Sequence, residues 1–263
     1  MTTKSLIDIV FASEKRKNVL LLLQEGPKET ETLLKSLDTT RPALLPQIKI
    51  LEESHLVKKD DNDICKLTTI GNLLVEEVRS LLETFVVLDE DISYWGTRNL
   101  DFIPPSMFYR IKELGSGKIW SPEVTDIYEL NKDIIETTSI SKSVISITSF
   151  LHPQFFHLFD NLTEREIEVK VILTNDLFEK LKSEKYDQFK EVLENAKTDF
   201  WLYPHDTALV SFIQNEYANL FMILNRTGTF DHKQILFSNQ GALNWGSDLF
   251  RNYLDQSTRI IEM

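Results

Sequence analysis

Two apolar stripes at helical spacing dominate the segment from Glu29 to Leu67. They predict two short helices joined by a turn at residues 38–40, with Thr30 as the cap of the first. The stripes are Leu33, Leu34 and Leu37, followed by Leu44, Ile48 and Leu51. Beyond them the pattern changes to two strands, residues 56–59 and 64–67, around an Asp-Asp-Asn-Asp turn. Helix, turn, helix and hairpin in this order are typical of a winged helix-turn-helix.

The second helix of such a unit enters the major groove of DNA, which defines the candidate contacts. Thr40 is the expected N-cap, and Pro42 falls in the first turn, where a missing N–H costs little. Arg41 can read guanine and Gln47 adenine. This face has few hydrogen-bond donors, so we expect reliance on DNA shape. The candidate DNA-binding residues are Thr40, Arg41, Pro42, Ala43, Gln47 and Lys49, with Lys58, Lys59 and Lys66 on the wing as phosphate contacts.

The charge balance limits this interpretation, because much of the affinity for DNA comes from neutralised phosphates. The chain of 263 residues has a formal net charge of -12. Its first 90 residues hold 12 Lys and Arg against 16 Asp and Glu. The densest basic spot among them is Lys15-Arg16-Lys17, which can reach phosphate or simply be solvated. Binding therefore needs local basic patches and two copies acting together.

A long apolar helix is predicted after the wing, from about Thr68 to Asp91. Its apolar positions exceed what one small domain covers, so we expect pairing with a second copy in a homodimer. Packing on the following domain is the alternative use. The helix closes a predicted N-terminal domain of residues 1–91.

Strand and helix patterns alternate after Trp120. Predicted strands lie at residues 143–148, 168–173, 199–203, 209–214, 219–225 and 234–237, and predicted helices at 124–138, 152–166, 177–196 and 245–256. The alternation predicts a helix-covered sheet whose early strands are parallel. The predicted fold class is α+β, with an N-terminal winged helix-turn-helix and a C-terminal α/β effector domain with a mixed sheet at residues 92–263.

Several segments of the chain resemble a known family. They are YWGTRNLDFIPPSMFYRIKELG, VISITSFLHPQF, VKVILTND and LFMILNRTGTFDHKQILFSNQGALNWGSDLFRNY. Together with the N-terminal domain, they resemble archaeal winged helix-turn-helix transcriptional regulators that carry a methanogenesis-regulatory effector domain. The most specific part is the run Ala242, Trp245, Gly246, Leu249 and Phe250. The resemblance implies a transcriptional regulator, usually a homodimer, whose second domain senses a signal.

The second domain is also distantly similar to the phospholipase D fold. Those enzymes need a His-x-Lys-x4-Asp motif, whereas in this chain His232 and Lys233 are adjacent, and the residue four positions after Lys233 is Phe237, not Asp. Adjacent side chains on a strand point in opposite directions, so the catalytic arrangement is not expected. No catalytic residue is predicted, and we interpret the domain as non-enzymatic.

A small-molecule effector is expected at the carboxyl ends of the strands, as in open α/β sheets. The candidate ligand-binding residues are Ser149, His152, Thr174, Tyr203 and His205, with Asn244 and Trp245 closing the pocket. For each aromatic residue, packing in the core is the alternative. The sequence leaves the effector itself unidentified.

Cysteine content and hydropathy exclude other classes. The single cysteine, Cys65, excludes a disulfide framework and is either a packed strand residue or a redox-sensing thiol. His152 and His157 are five apart and lie on different helix faces, so no metal and no cofactor are predicted. No apolar run reaches the roughly 18 residues of a membrane helix. We expect a cytoplasmic protein without a membrane partner.

Three functions remain open at this point. The first is a homodimeric regulator that binds double-stranded DNA and senses a ligand or a partner. The second is a phosphodiester-cleaving enzyme of phospholipase D type. The third is a protein-interaction adaptor whose winged helix binds protein, which the negative charge of the first 90 residues favours.

Overall fold

A computed structural model describes residues 5–262, which divide into two compact units. One unit ends at Leu82 and the other begins at Glu83, inside a single long helix. The predicted domain boundary lay at residue 91. The second unit starts earlier because Val87 belongs to its core, where the carbonyl of Val87 accepts a hydrogen bond from Trp95 Nε1 at 2.8 Å.

The first unit has the element order predicted for a winged helix. Its elements are α1 (Leu6–Phe11), α2 (Glu14–Gln24), β1 (Lys28–Glu29), α3 (Thr30–Ser36), α4 (Arg41–Glu53), β2 (Val57–Lys59), β3 (Ile64–Leu67) and α5 (Thr69–Asp89), which continues into the second unit. β3 is the middle strand and is antiparallel to both β1 and β2. The N-cap of α3 lies one residue before the predicted position, Thr30. Glu29 occupies the N-cap position, and the buried Thr30 instead donates to the carbonyl of Asp63 at 3.1 Å.

Aliphatic side chains and Cys65 form the hydrophobic core of the first unit. Helix α4 contributes its predicted stripe of Leu44, Ile48 and Leu51. Gly71 allows α5 to pass close to the hairpin, because a Cβ at this position would lie 2.0 Å from the carbonyl oxygen of Leu56. The close approach fixes where the long helix leaves the wing.

The second unit contains one large sheet and the remaining helices. The helices are α6 (Ile92–Thr97), α7 (Pro105–Phe108), α8 (Lys132–Ser139), α9 (Phe155–Glu164), α10 (Asn175–Glu184), α11 (Tyr186–Leu193) and α12 (Gln240–Leu254), with 3-10 turns at Ile111–Leu114 and Val124–Asp126. The strands are β4 (Lys118–Trp120), β5 (Ser143–Thr148), β6 (Glu168–Thr174), β7 (Thr198–Tyr203), β8 (Leu209–Gln214), β9 (Asn219–Ile223), β10 (Gln234–Phe237) and β11 (Thr258–Arg259). No helix in the described range is long and apolar enough to cross a membrane.

The sheet is mixed, as predicted, and has the strand order β11-β7-β6-β5-β8-β9-β10-β4. β5, β6 and β7 are parallel, and every other pairing is antiparallel. The fold class of a winged helix-turn-helix followed by an α/β domain is confirmed. Three helix predictions were too long or misplaced: 124–138 is a 3-10 turn and α8, 177–196 is α10 and α11, and α12 starts at Gln240 rather than 245.

Alternate residues of each strand supply the two faces of the sheet. On β6, Ile172 packs with α12 and the segment 94–114, whereas Val171 and Leu173 pack with α9, α10 and α11. On β9, Leu220 and Met222 join Ile134 of α8 on the second of these faces. The helices α8 and α9 therefore cover the same side of the sheet.

Candidate nucleic-acid interface and ligand cavity

Helix α4 presents its polar side outward, as a recognition helix requires. Leu44, Ile48 and Leu51 hold its inner side in the core. Thr40 occupies the predicted N-cap position without a side-chain cap bond, and a proline lies in the first turn. The outer side exposes Thr40, Arg41, Pro42 and Lys49, with Ala43 and Gln47 half-buried.

Arg41 lies at the exposed start of α4 but already has acidic partners. Its Nε donates to Glu31 Oε1 at 2.8 Å, and its Nη2 lies 3.6 Å from Asp63 Oδ2. The hydrogen bond to Glu31 and the charge of that carboxylate raise the pKa of Arg41. Arg41 must therefore exchange Glu31 for a guanine edge or a phosphate before it can contact DNA.

Gln47 is also engaged inside the unit. Arg16 Nη1 donates to Gln47 Oε1 at 2.8 Å, and Arg16 further donates to the carbonyls of Asp8 and Ile9. Arg16 is buried, so the prediction that it belongs to an exposed basic spot is wrong. Bidentate recognition of adenine needs both polar atoms of an amide, and the oxygen of Gln47 is occupied. Arg16 instead ties α1 and α2 to α4.

Lys58 and Lys66 form the clearest basic patch of the first unit. They are directly opposite each other in the β2–β3 register, and both are exposed. No carboxylate in residues 5–262 is recorded within ion-pair distance of either ammonium group. Together with His55 they border a shallow cleft of about 410 Å³ that also includes residues 67–70. The structure thus brings two of the predicted phosphate contacts together.

The other two predicted lysine contacts are placed differently. Lys59 lies on the opposite side of the hairpin from Lys58 and forms an ion pair with Asp63. Its separation from the patch follows from the strand alternation. Lys49 is exposed on α4, with Glu53 one turn away at 3.9 Å. Neither residue adds to the Lys58 and Lys66 patch.

Cys65 is fully buried in β3, which fits a packed strand residue. Its Sγ lies 4.0 Å from the hydroxyl of Thr30, and desolvation by burial raises the pKa of the thiol. A raised pKa keeps the sulfur protonated and weakly nucleophilic. The alternative of a redox-sensing thiol has no support in this geometry.

Helix α5 exposes an apolar stripe along its length. Ile70 and Leu73 are 59% and 65% exposed, and Leu81 and Phe85 follow on the same side at helical spacing. Glu77 lies between Leu73 and Leu81 on this side. Exposed aliphatic and aromatic side chains along one side of a helix are typical of an interaction surface.

Four residues predicted for ligand binding lie at the carboxyl ends of the parallel strands. Thr174 pairs in register with Tyr203, and Ser149 follows the last residue of β5. The ring of His205 packs edge-on against Tyr203, with centroids 5.4 Å apart. The hydroxyl of Thr174 is buried without a recorded partner in the described residues. Tyr203 borders an open cleft of about 600 Å³ that residues 99–105 and the end of α12 complete.

Asn244 and Trp245 do not close a pocket at this edge, contrary to the prediction. Trp245 is 0% exposed in the core, and its Nε1 donates to the carbonyl of Met107 at 3.2 Å. Asn244 is exposed beside Ser143, the first residue of β5, and therefore lies at the opposite end of the parallel strands. The family-like run 242–250 serves the packing of α12 on the sheet.

A cavity lined mainly by apolar side chains lies under α8 and α9. Its volume is about 130 Å³, and strands β5, β6, β8 and β9 form its floor. The lining includes Ile134, Phe155, Phe159, Val171 and Met222. His152 is the one predicted ligand residue that borders it. The sequence prediction missed the rest because it considered strand ends and not a sheet face.

The ring of His152 lines this cavity and is held by neighbouring groups. Its Nδ1 accepts from the N–H of Gln154 at 3.1 Å, and its ring packs edge-on against Phe150. Desolvation by burial lowers the pKa of His152, although a hydrogen bond to the backbone of Tyr128 acts in the other direction.

The Asp231-His232-Lys233 sequence lies in a loop between β9 and β10, not on a strand as predicted. His232 has a φ of 63°, and Asp231 receives two hydrogen bonds from Arg98, at 2.8 and 2.6 Å. The carboxylate of Asp231 is therefore used in a structural ion pair. This loop is not arranged as a phospholipase D site.

Comparison with known families addresses both units. Residues 4–90 match the family model of the HVO_A0261 N-terminal domain. Residues 127–256 match the model of the methanogenesis regulatory protein FilR1, middle domain. Residues 127–256 are thus similar to the FilR1 middle domain. The resemblance to winged-helix regulators with a methanogenesis-regulatory domain is thereby confirmed. The cavity under α8 and α9 lies wholly inside the FilR1 middle domain.

Solved structures give only loose matches. TrmBL2, described as an archaeal chromatin protein with a novel mode of DNA binding, has 13% identity and a TM-score of 0.41, covering 96% of this chain and 97% of its own. Phosphatidylserine synthase of Haemophilus influenzae has 13% identity and a TM-score of 0.39, covering 56% of this chain and 40% of its own. The phospholipase D family member NUC of Salmonella typhimurium has 10% identity and a TM-score of 0.35, covering 56% of this chain and 99% of its own. No curated protein sequence matches the chain.

Proposed function

We propose that this protein is a homodimeric, DNA-binding transcriptional regulator. In this proposal residues 1–91 bind double-stranded DNA, with α4 in the major groove and the hairpin on the backbone. The FilR1 middle domain, within residues 92–263, senses a small molecule or a partner. The family matches support a regulator, and the geometry of the wing supports DNA as the partner.

The opposed pair of Lys58 and Lys66 is the observation that carries the DNA proposal. Like charges directly opposite each other in a sheet are destabilising. No carboxylate of residues 5–262 lies within ion-pair distance of either lysine, so an external anion would relieve their repulsion. A DNA backbone supplies two adjacent phosphates for this purpose. Arg41 and Lys49 lie exposed on α4 for further contacts.

The exposed stripe of Ile70, Leu73, Leu81 and Phe85 supports a homodimer. A second copy of α5 would bury these side chains in a symmetric contact, because a two-fold interface uses the same patch on both partners. Pairing also doubles the phosphate contacts, which the acidic composition of each copy makes necessary.

The proposal is tested by the salt dependence of DNA binding by the full-length protein. Fluorescence anisotropy with DNA from its own promoter is compared for the wild type and the double variant Lys58→Ala/Lys66→Ala. Each lost phosphate contact reduces the slope of log K against log salt by about 0.9. The slope should fall by about 1.8 for one bound copy and by about 3.6 for a homodimer on two half-sites.

Exposed lysines of the second unit provide the matched control. The double variant Lys132→Ala/Lys180→Ala removes the same charge and should leave the slope unchanged. An equal fall in both variants would show that only net charge matters. Absence of binding by the wild type even at low salt would reject DNA as the partner and favour a protein-binding adaptor.

Catalysis has no part in this proposal. Asp231 is held by Arg98, and the backbone of His232 lies in the left-handed region. The residues of the loop between β9 and β10 therefore do not converge on a substrate. The Lys58 and Lys66 patch acts by charge alone.

A further inference from the structure

The cavity under α8 and α9 combines apolar walls with two unpartnered hydroxyl groups. Ser146 of β5 and Ser211 of β8 both line its floor. Thr148 pairs with Ser211 in the strand register, and Ser146 pairs with Ile213, so the two serines are diagonal neighbours on one face. No side-chain hydrogen bond is recorded for either serine within residues 5–262. Ser146 is half-buried and Ser211 is buried, so a ligand group that reaches these hydroxyls gains hydrogen bonds in a partly desolvated site.

Thr148 and His152, two further polar residues that line the cavity, already have partners. The hydroxyl of Thr148 donates to the carbonyl of Phe150 at 3.0 Å and accepts from the N–H of Phe150 at 3.1 Å. His152 accepts from the backbone of Gln154. Among the residues that the structure describes, no Asp, Glu, Lys or Arg lines the cavity. A ligand inside would therefore meet apolar carbon on most sides and the hydroxyls of Ser146 and Ser211 on the floor.

The volume limits the size of the ligand. The cavity measures about 130 Å³. An engineered apolar cavity of about 150 Å³ in another protein binds benzene. A single ring or a branched chain of similar bulk fits, and a sugar or a nucleotide does not.

We propose that the cavity binds a small, uncharged, mainly apolar molecule whose one polar group hydrogen-bonds Ser146 and Ser211. This inference rests on the sensing role proposed above, to which it gives a ligand class. An aromatic or branched aliphatic alcohol is the simplest molecule of this class. Ionised ligands are excluded because no charged side chain compensates for their desolvation.

Titration calorimetry on the full chain tests this ligand class with phenol and toluene, which differ by one hydroxyl group. We expect the wild type to bind both probes at millimolar concentration, and phenol more tightly. In Ser146→Ala/Ser211→Ala the affinity for phenol should fall about 5- to 10-fold, with toluene unchanged or slightly tighter. Ser183→Ala, in which a serine of α10 bonded to the carbonyl of Glu179 is removed, is the matched control.

The outcomes separate this inference from the proposed function. No binding of either probe, or an equal loss for both probes in the serine variant, would overturn the cavity proposal. Promoter binding is measured in parallel with and without saturating phenol. Calorimetric binding without a change in DNA affinity would reject the sensing role but uphold the cavity, and failure of all DNA binding would reject the proposed function only.

Discussion

The two compact units stabilise their folds with different side chains. The buried core of the first unit consists of Leu, Ile, Val and one Cys, and its only phenylalanine, Phe11, is exposed. The main core of the second unit combines aliphatic side chains with many Phe, Tyr and Trp side chains, among them Phe212, Phe221 and Trp245. Aliphatic side chains suit a small unit whose elements are close in sequence. Large aromatic side chains connect elements that are far apart in the chain.

The two units also differ in where their polar interactions lie. In the first unit the ion pairs lie at the surface, as in Arg41 with Glu31. In the second unit buried amides join α12 to the sheet: Gln214 donates to the carbonyl of Leu243 at 3.0 Å and Asn219 to that of Ala242 at 2.8 Å. Each buried bond is more sensitive to the loss of its partner than a surface pair. The second unit should therefore respond more strongly to single substitutions in its core.

Trp245→Ala should produce the largest effect. Trp245 is fully buried, contacts Phe221 and donates to Met107, so its removal leaves a cavity and takes one donor from the carbonyl of Met107, which keeps the N–H of Arg110. We expect a loss of about 4 kcal/mol in the free energy of unfolding. All four tryptophans, at 95, 120, 201 and 245, lie in the second unit, so the fluorescence of the remaining three in a urea titration reports this unit alone.

Trp120→Ala is the control for this comparison. Trp120 is half-buried on the edge strand β4, and its removal should cost roughly 1 kcal/mol. Equal costs for the two tryptophans would contradict the view that α12 and its aromatic contacts organise the second unit.

The contrast explains why the sequence predicted the first unit well. Leu44, Ile48 and Leu51 lie within two turns of helix, and the Asp-rich turn lies directly between its strands. Such signals are local, so periodicity alone locates the elements. The sequence did not show which partners the basic side chains of this unit have. Arg16, Arg41 and Lys59 look like free cations, but each finds a partner that is distant along the chain or across the hairpin.

The second unit was predicted less well because its decisive contacts are long-range. β4 pairs with β10 more than 100 positions later, and Trp245 meets Met107. The six predicted strands are present, but the edge strands β4 and β11 were not predicted. The cavity arises where α8 and α9 cover the sheet, and no local pattern indicates that gap. In the sequence, the cavity is indicated only by Ser146 and Ser211, two serines at positions where the strand pattern favours aliphatic residues.

Gly71→Ala should have the next largest effect and tests the first unit. A Cβ at this position would overlap the backbone oxygen of Leu56, which cannot move without displacing the hairpin. We expect a loss of about 2 kcal/mol, measured by far-UV circular dichroism during thermal unfolding. The matched control is Gly96→Ala, where no atom lies within 4 Å of the new Cβ. A neutral Gly71→Ala would show that the wing and the start of α5 are not rigidly packed.

Asp231→Asn should have the smallest of these effects and the clearest pH dependence. Arg98 is almost fully buried, with a side chain 1% exposed, whereas the side chain of Asp231 is 38% exposed. Burial opposes ionisation of Asp231, but the hydrogen bonds and charge of Arg98 lower the pKa of this carboxyl below its ordinary value. Removing the charge leaves Arg98 without its counter-ion. After allowance for the exposure of Asp231, we expect a loss of about 1 kcal/mol at pH 7.

The sign of the pH dependence follows from the lowered pKa. A carboxyl whose pKa is lower in the folded state stabilises the fold above its unfolded pKa of about 3.9 and loses that contribution as the pH falls through the folded value. The difference in unfolding free energy between wild type and Asp231→Asn should be constant from pH 7 to about pH 5 and shrink below about pH 4. Because the other carboxyl groups titrate in both proteins, their effects largely cancel in this difference. A gap that persisted unchanged at low pH would mean that the shape of the loop, and not the ion pair with Arg98, is what the substitution disturbs.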